Sequence, residues 1–197
     1  MSDPSRSSIG ARRNPQTETA ILDAAERLIE QVGFQKLSIE AVAREARAGK
    51  ATVYRWWPGK GHLLLALYSR AKTALPEPDT GDMRRDLEEY LTQFLQRLNG
   101  TADSPPLAPL LRLLIAEAQS DPAMHAAFRH ERDERWDQIT SILRRARDRG
   151  QLNPALSPDQ AARRIVSMIW LLLLDDALPA SDAAPALLDE LMPALHG

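Results

Sequence analysis

At 197 residues, 44% of them hydrophobic and 26% charged, the chain has enough apolar surface for one substantial core or two smaller ones, and too much to remain unfolded. It contains no cysteine, which excludes a disulfide framework and any thiolate metal site and leaves a reducing compartment, by default the cytoplasm, as the expected location. The net charge of -2 hides an asymmetry: up to Leu75 there are 12 Lys and Arg against 7 Asp and Glu, and beyond it 13 against 20, so a polyanion is drawn to one end and repelled from the other.

Residues 1–14 are polar and carry Arg6, Arg12 and Arg13 without an apolar stretch, so they read as a flexible basic arm and not as a secretion signal. Arg12 and Arg13 either reach a polyanion or belong to a solvated tail. Ile21, Leu22, Ala24, Ala25, Leu28, Ile29 and Val32 then recur at helical spacing between Asn14-Pro15 and Gly33, which predicts a first helix. Ser38 is a good N-cap for a second, short helix with the apolar face Ile39, Val42, Ala43 and Ala46, interrupted by Arg47-Ala48-Gly49. A third short helix, Lys50 to Trp57, is closed by Pro58-Gly59, and a longer fourth runs from Lys60 to about Leu75. Residues 75–82 hold two prolines, a glycine and the acids Glu77, Asp79 and Asp82, and read as a connection between modules.

Further helices are predicted at 82–98, 106–119, 122–149 (long enough to be broken), 158–178 and 183–195. Strand signals are scarce, with no alternating β-branched run closed by a tight turn, so the expectation is an all-α protein. The most apolar run, Ile165 to Leu174, is ten residues long where about 20 are needed to cross a bilayer, and predicts a buried helix and no membrane partner.

Only about three residues separate the second and third helices, the layout of a helix-turn-helix whose second helix enters the major groove of DNA. Val53 and Trp57 lie four apart, share one face and are expected to pack on the first two helices. Lys50, Ala51, Tyr54 and Arg55 fall on the other faces. There Lys and Arg can donate to guanine O6 and N7, Ala can touch a thymine methyl, and Thr, Tyr or Trp can donate to phosphate. Lys60 opens the fourth helix, where its ammonium and the helix dipole both favour an anion.

The segments ILDAAERLIEQVGFQKLSIEAVAREA and GKATVYRWWPGKGHLLLAL, between Ile21 and Leu67, resemble the N-terminal signature of the TetR/AcrR transcriptional regulators. The resemblance implies a three-helix DNA-binding domain over 15–60 and a larger helical ligand-binding and dimerisation domain over 61–197, connected by the fourth helix. It implies base-edge or groove contacts for Lys50, Ala51, Tyr54 and Arg55, phosphate contacts for Thr52, Trp56 and Lys60, and core positions for Val53 and Trp57. Arg47 and Ala48 stand in the turn where the family commonly has a glycine, and Arg47 is expected to add a phosphate contact. Gly49 takes the place of the usual Ser or Thr cap and caps nearly as well. Trp56-Trp57 is bulkier than the usual His-Phe pair.

Beyond Leu67 the resemblance extends only to helix count and order. It implies that helices 158–178 and 183–195 pair with their copies in a four-helix bundle, and the all-round apolarity of Ile165 to Leu174 points the same way. The function implied is that of a dimeric, ligand-responsive repressor on a palindromic operator, with its third helices in major grooves about 34 to 36 Å or more apart. The expected effector is small and partly apolar; an anionic one would need an arginine such as Arg112. Phe94, Phe128, Trp136, Met168 and Trp170 either line its pocket or fill the core.

His130 and Glu134 are four apart and can share a metal, but no third ligand is fixed, and the alternating charges from Arg129 to Arg135 favour a solvated face. No metal and no cofactor is expected. No Ser-His-acid set, phosphate-binding Gly-rich loop or carboxylate pair stands out, so an enzyme, for instance one using His125 and His130, has little support. The other alternative is a helical ligand-binding or scaffold protein whose helix-turn-helix does not bind DNA.

Overall fold

The computed structural model describes residues 14–71, 75–102 and 104–196, without the side chains of residues 134 and 135. Arg12, Arg13 and the side chain of Glu134 thus lie outside the described residues. These fold into α-helices with one 3-10 turn, and no strand occurs among them beyond an isolated bridge between Thr101 and Ser104. The chain divides into two compact units, one ending at Leu67 and the other beginning at Tyr68. The division falls inside the fourth helix.

In the first unit, α1 (Pro15–Lys36) starts where Asn14 accepts a hydrogen bond from the Gln16 N–H at 3.0 Å, with proline in the first turn, where its missing N–H costs nothing. Gly33, at φ 79°, breaks its helical run at the expected place, and a last turn continues to Lys36. Ser38 caps α2 (Ile39–Glu45) through the Ala41 N–H at 3.2 Å. The helix α3 (Lys50–Trp56) follows Gly49, and α4 runs from Lys60 to Ala71. α2 packs on both α1 and α3. Ile21, Ala24, Ala25, Val42, Val53, Leu63 and Leu64 have no exposed surface.

The turn between α2 and α3 is a Schellman ending. The Arg47 N–H bonds the Arg44 carbonyl at 3.2 Å and the Ala48 N–H the Ala43 carbonyl at 2.9 Å, with Arg47 in the left-handed region at φ 51°.

The second unit contains α5 (Met83–Asn99), α6 (Ala108–Ser120), α7 (Pro122–Asp148), α8 (Pro158–Leu174), the turn Ser181–Ala183 and α9 (Ala184–Leu195). α5 packs on α6, α7 and α9, and α7 packs on α6 and α8. α7 is one helix of 27 residues, unbroken. α8 opens with a capping box between Ser157 and Gln160.

It ends at Leu174, short of the predicted 178, because Asp176 turns left-handed at φ 56° and the Ala177 N–H bonds the Leu172 carbonyl at 2.8 Å. Arg112 secures this end: its Nη1 donates to the Leu173 carbonyl at 3.2 Å and pairs with Asp176 at 2.6 Å.

Residues 75–82 do not separate the two units; they are bound into the second. Asp86, fully buried, accepts from the Thr80 N–H and hydroxyl at 2.7 Å each and from Arg149 at 3.1 Å. Arg149 also pairs with Asp79 at 2.9 Å, while Arg145 donates to the Pro78 carbonyl at 2.8 Å and to Glu77 at 3.3 Å. Two of the acids that look like linker in the sequence, Glu77 and Asp79, are therefore counter-charges of the α7 C-terminus, and the third, Asp82, caps α5 by accepting from the Arg85 N–H at 2.8 Å. Among the described residues no helix is long and apolar enough to cross a membrane, and no group of three potential metal ligands comes together.

Candidate nucleic-acid interface

Seven residues make two turns of helix, so α3 can offer one face inward and one outward. Val53 and Trp57 are buried, in the core positions expected of them. Lys50, Ala51, Tyr54 and Arg55 are exposed together on the opposite side, and Thr52 is half-buried between the two. Arg47 is exposed on the turn just before the helix. Lys60 is half-buried and its Nζ donates to the Gln35 carbonyl at 3.0 Å, which ties the start of α4 to the last turn of α1. An ammonium has three donors, so this bond still lets Lys60 serve an anion.

Trp56 departs from expectation. The residue is 8% exposed, its indole Nε1 is buried, and its ring meets that of Trp57 edge to face with centroids 5.8 Å apart. An indole N–H inside the fold has no access to DNA, so the expected phosphate contact is withdrawn. The cause is helical spacing: Val53, Trp56 and Trp57 stand at i, i+3 and i+4 and share the inward face.

The sequence gives no hint of Glu40, in the first turn of α2. Its Oε1 lies 2.9 Å from Lys50 Nζ and accepts the Tyr54 hydroxyl at 2.9 Å, while Lys50 Nζ stands 5.6 Å from the tyrosine ring centroid. The lysine hydrogen bond above all, then the backbone and the tyrosine hydroxyl, hold the Glu40 carboxyl down to about 2. The same hydrogen bond pushes the Lys50 ammonium up, and the Tyr54 phenol rises for the matching reason. Ten and fourteen residues separate Glu40 from its partners, so only the fold of the turn brings them together.

In the second unit every aromatic residue, Tyr68, Tyr90, Phe94, Phe128, Trp136 and Trp170, lines one cavity of about 40 Å³. Tyr90 stacks on Phe94 with centroids 6.3 Å apart, and Phe128 meets Trp170 at 6.1 Å. Among the described residues Arg132 is the one charged residue in the lining, and its guanidinium, like that of Arg163, lies 5.9 Å from the Trp136 ring centroid. Four of the five sequence candidates thus meet in the cavity, and Met168 does not. Arg112 is engaged at the end of α8.

The family described as bacterial regulatory proteins, tetR family, matches residues 21–67, and the tetracyclin repressor-like C-terminal domain matches residues 77–191. An uncharacterised HTH-type transcriptional regulator of Mycobacterium tuberculosis is 33% identical over 179 residues, which cover 89% of this chain and 85% of the relative. The HTH-type transcriptional regulator AqdR of Rhodococcus erythropolis is 32% identical over 158 residues, covering 78% and 72%. Among solved structures, the TetR family transcription regulator SCO0332 superposes with a TM-score of 0.69 at 28% identity, covering 92% of this chain and all of the other. NalD, the secondary repressor of the MexAB-OprM multidrug efflux pump in Pseudomonas aeruginosa, gives 0.59 at 25% identity, covering 92% and 96%. With both of its units matched, the chain belongs to the TetR family and is a DNA-binding transcriptional regulator of the helix-turn-helix type, a class of regulators and not of enzymes.

Proposed function

We propose that this regulator is a cytoplasmic, ligand-responsive repressor that holds a palindromic operator as a homodimer and leaves it when a small, largely apolar molecule enters the aromatic cavity. The observation that carries the DNA side is the outward face of α3. Lys50, Ala51, Tyr54 and Arg55 are exposed on a helix anchored through Val53 and Trp57, which supports base-edge contacts for these four, and the nearby Arg47, Thr52 and Lys60 supply the phosphate contacts in this reading. Two copies set their α3 helices in successive major grooves, so the operator repeats the symmetry of the protein.

The dimer is supported by α8. Ile165, Ile169 and Leu173 are buried within one chain, but Leu171 and Leu174, a turn apart on the same helix, are 60% and 52% exposed. A second α8 covers them, with α9 completing a four-helix arrangement. The effector is supported by the cavity, whose size also bears on mechanism: about 40 Å³ is far below the roughly 300 to 1,000 Å³ of a ligand pocket. An effector therefore has to part the aromatic walls, one of which, Tyr68, stands on α4, the helix that begins with Lys60. A molecule that binds the parted form better than the closed one shifts the equilibrium by that difference in affinity.

Selection of bound fragments from random DNA tests the proposal. The expected product is an inverted repeat, bound by two subunits and bound more weakly on Tyr54→Ala. A selected site without symmetry, or retention that survives Tyr54→Ala together with Lys50→Ala, speaks against it.

A further inference from the structure

Lys50 is not a loose cation in the free protein. Its ammonium is 2.9 Å from Glu40, which also accepts the Tyr54 hydroxyl at 2.9 Å, and all three side chains are exposed on the surface shared by α2 and α3. A phosphate competing for Lys50 has to displace a carboxylate already in place, and Glu40, once uncovered, repels the same DNA. Acidification does not release the pair until the carboxyl itself titrates, at about 2.

What satisfies both members without parting them is a surface that offers acceptors beside a donor. The major-groove edge of a G·C pair does this: guanine N7 and O6 accept, and the cytosine N4 amino group next to them donates. An A·T pair also offers a donor, the adenine N6 amino group, but it stands between the two acceptors, adenine N7 and thymine O4, so an ammonium at one side of the carboxylate meets one acceptor where guanine presents two, a poorer match.

We propose that Glu40 and Lys50 act as one unit that reads a single G·C pair, the lysine on guanine and the glutamate on the cytosine amino group, with Tyr54 holding the carboxylate in register. Glu40 is then a specificity-determining residue that also discounts non-specific phosphate binding. The inference rests on the placement of α3 in the major groove.

The experiment compares the full-length protein with Glu40→Ala, both on DNA selected from random pools and on non-specific DNA at several salt concentrations. The wild type is expected to prefer G·C at one position of each half-site by about tenfold, within the range of a good base contact. Glu40→Ala is expected to lose that preference, to bind non-specific DNA more tightly and to steepen the salt dependence by about one counterion. Unchanged melting shows that the variant is folded; if alanine disturbs α2, Glu40→Gln keeps the size of the side chain and is expected to steepen the salt dependence in the same direction. A preference that survives Glu40→Ala overturns the inference alone, whether or not the salt dependence moves. A wild type that retains no DNA at low salt overturns the placement of α3 and this inference with it.

Discussion

In the first unit the residues we assign to DNA stand close together in the sequence: Arg47, Lys50, Ala51, Thr52, Tyr54, Arg55 and Lys60 fall within one short helix, the turn before it and the start of the next helix. In the second, the six aromatic residues of the cavity are scattered from Tyr68 to Trp170 and meet only after four helices have packed. A site built on one small element is set by local spacing and caps, because two turns of helix leave few choices of face. A cavity is set by long-range packing, in which each residue alone looks like ordinary core. The two kinds of site should therefore fail differently when altered.

The largest effect is expected where the second unit serves the first without touching DNA. Leu171→Asp combined with Leu174→Asp places two charges on the α8 face that we assign to the partner, and burying unpaired charges is too costly for the interface to survive. Light scattering should report monomers, and retention of the selected operator should be lost altogether while helix content is unchanged. Dimers that persist would move the interface elsewhere.

Asp86→Ala comes next. It leaves Arg149 and both Thr80 donors without their shared buried acceptor, and the stability of the second unit should fall by about 3 kcal/mol, read from chemical denaturation. The exposed face of α3 is untouched, so the fraction that remains folded should bind DNA normally. A loss of under about 1 kcal/mol would mean that Asp79 and the loop backbone take over the role of Asp86.

Tyr54→Ala reverses that pattern. The side chain is 37% exposed, so melting should not change, yet operator affinity should fall by about 1 to 3 kcal/mol, the range of a base or close groove contact. Tyr54→Phe, which keeps the ring and removes the bond to Glu40, should lie between the wild type and alanine.

These contrasts follow what could be read from the residues alone. Asn14, Ser38 and Pro58-Gly59 mark their helix boundaries, and the split of α3 into Val53 and Trp57 inside and Lys50, Ala51, Tyr54 and Arg55 outside follows from helical spacing. Trp56 departs from that split because the same spacing lets a third residue share the inward face, and only packing decides that it does. The end of α8 was missed because an aspartate, Asp176, occupies the left-handed position where glycine is the usual signal. Residues 75–82 have linker composition, but Glu77 and Asp79 are matched by Arg145 and Arg149, some 70 residues on, and no local pattern records that pairing. Glu40 escaped for the same reason at shorter range.

The smallest effect concerns a helix ending built in both units from different residues. At the end of α7, Gly150 takes the left-handed position at φ 72°, its N–H bonding the Arg147 carbonyl at 2.9 Å and that of Gln151 the Ala146 carbonyl at 2.9 Å. α2 ends with the same pair of bonds, but the left-handed residue is Arg47 at φ 51°. An L side chain in that conformation costs about 1 to 2 kcal/mol, part of which a glycine gives back through its freer unfolded chain. Arg47→Gly should therefore raise stability by about 1 kcal/mol, a few degrees in Tm, while weakening DNA binding and flattening its salt dependence by about one counterion. Both changes together mean that the first unit tolerates a strained turn for the sake of a guanidinium at the phosphates. A gain in stability with DNA binding unchanged would leave Arg47 as strain without a role at the interface, and the phosphate contacts would fall to Thr52 and Lys60.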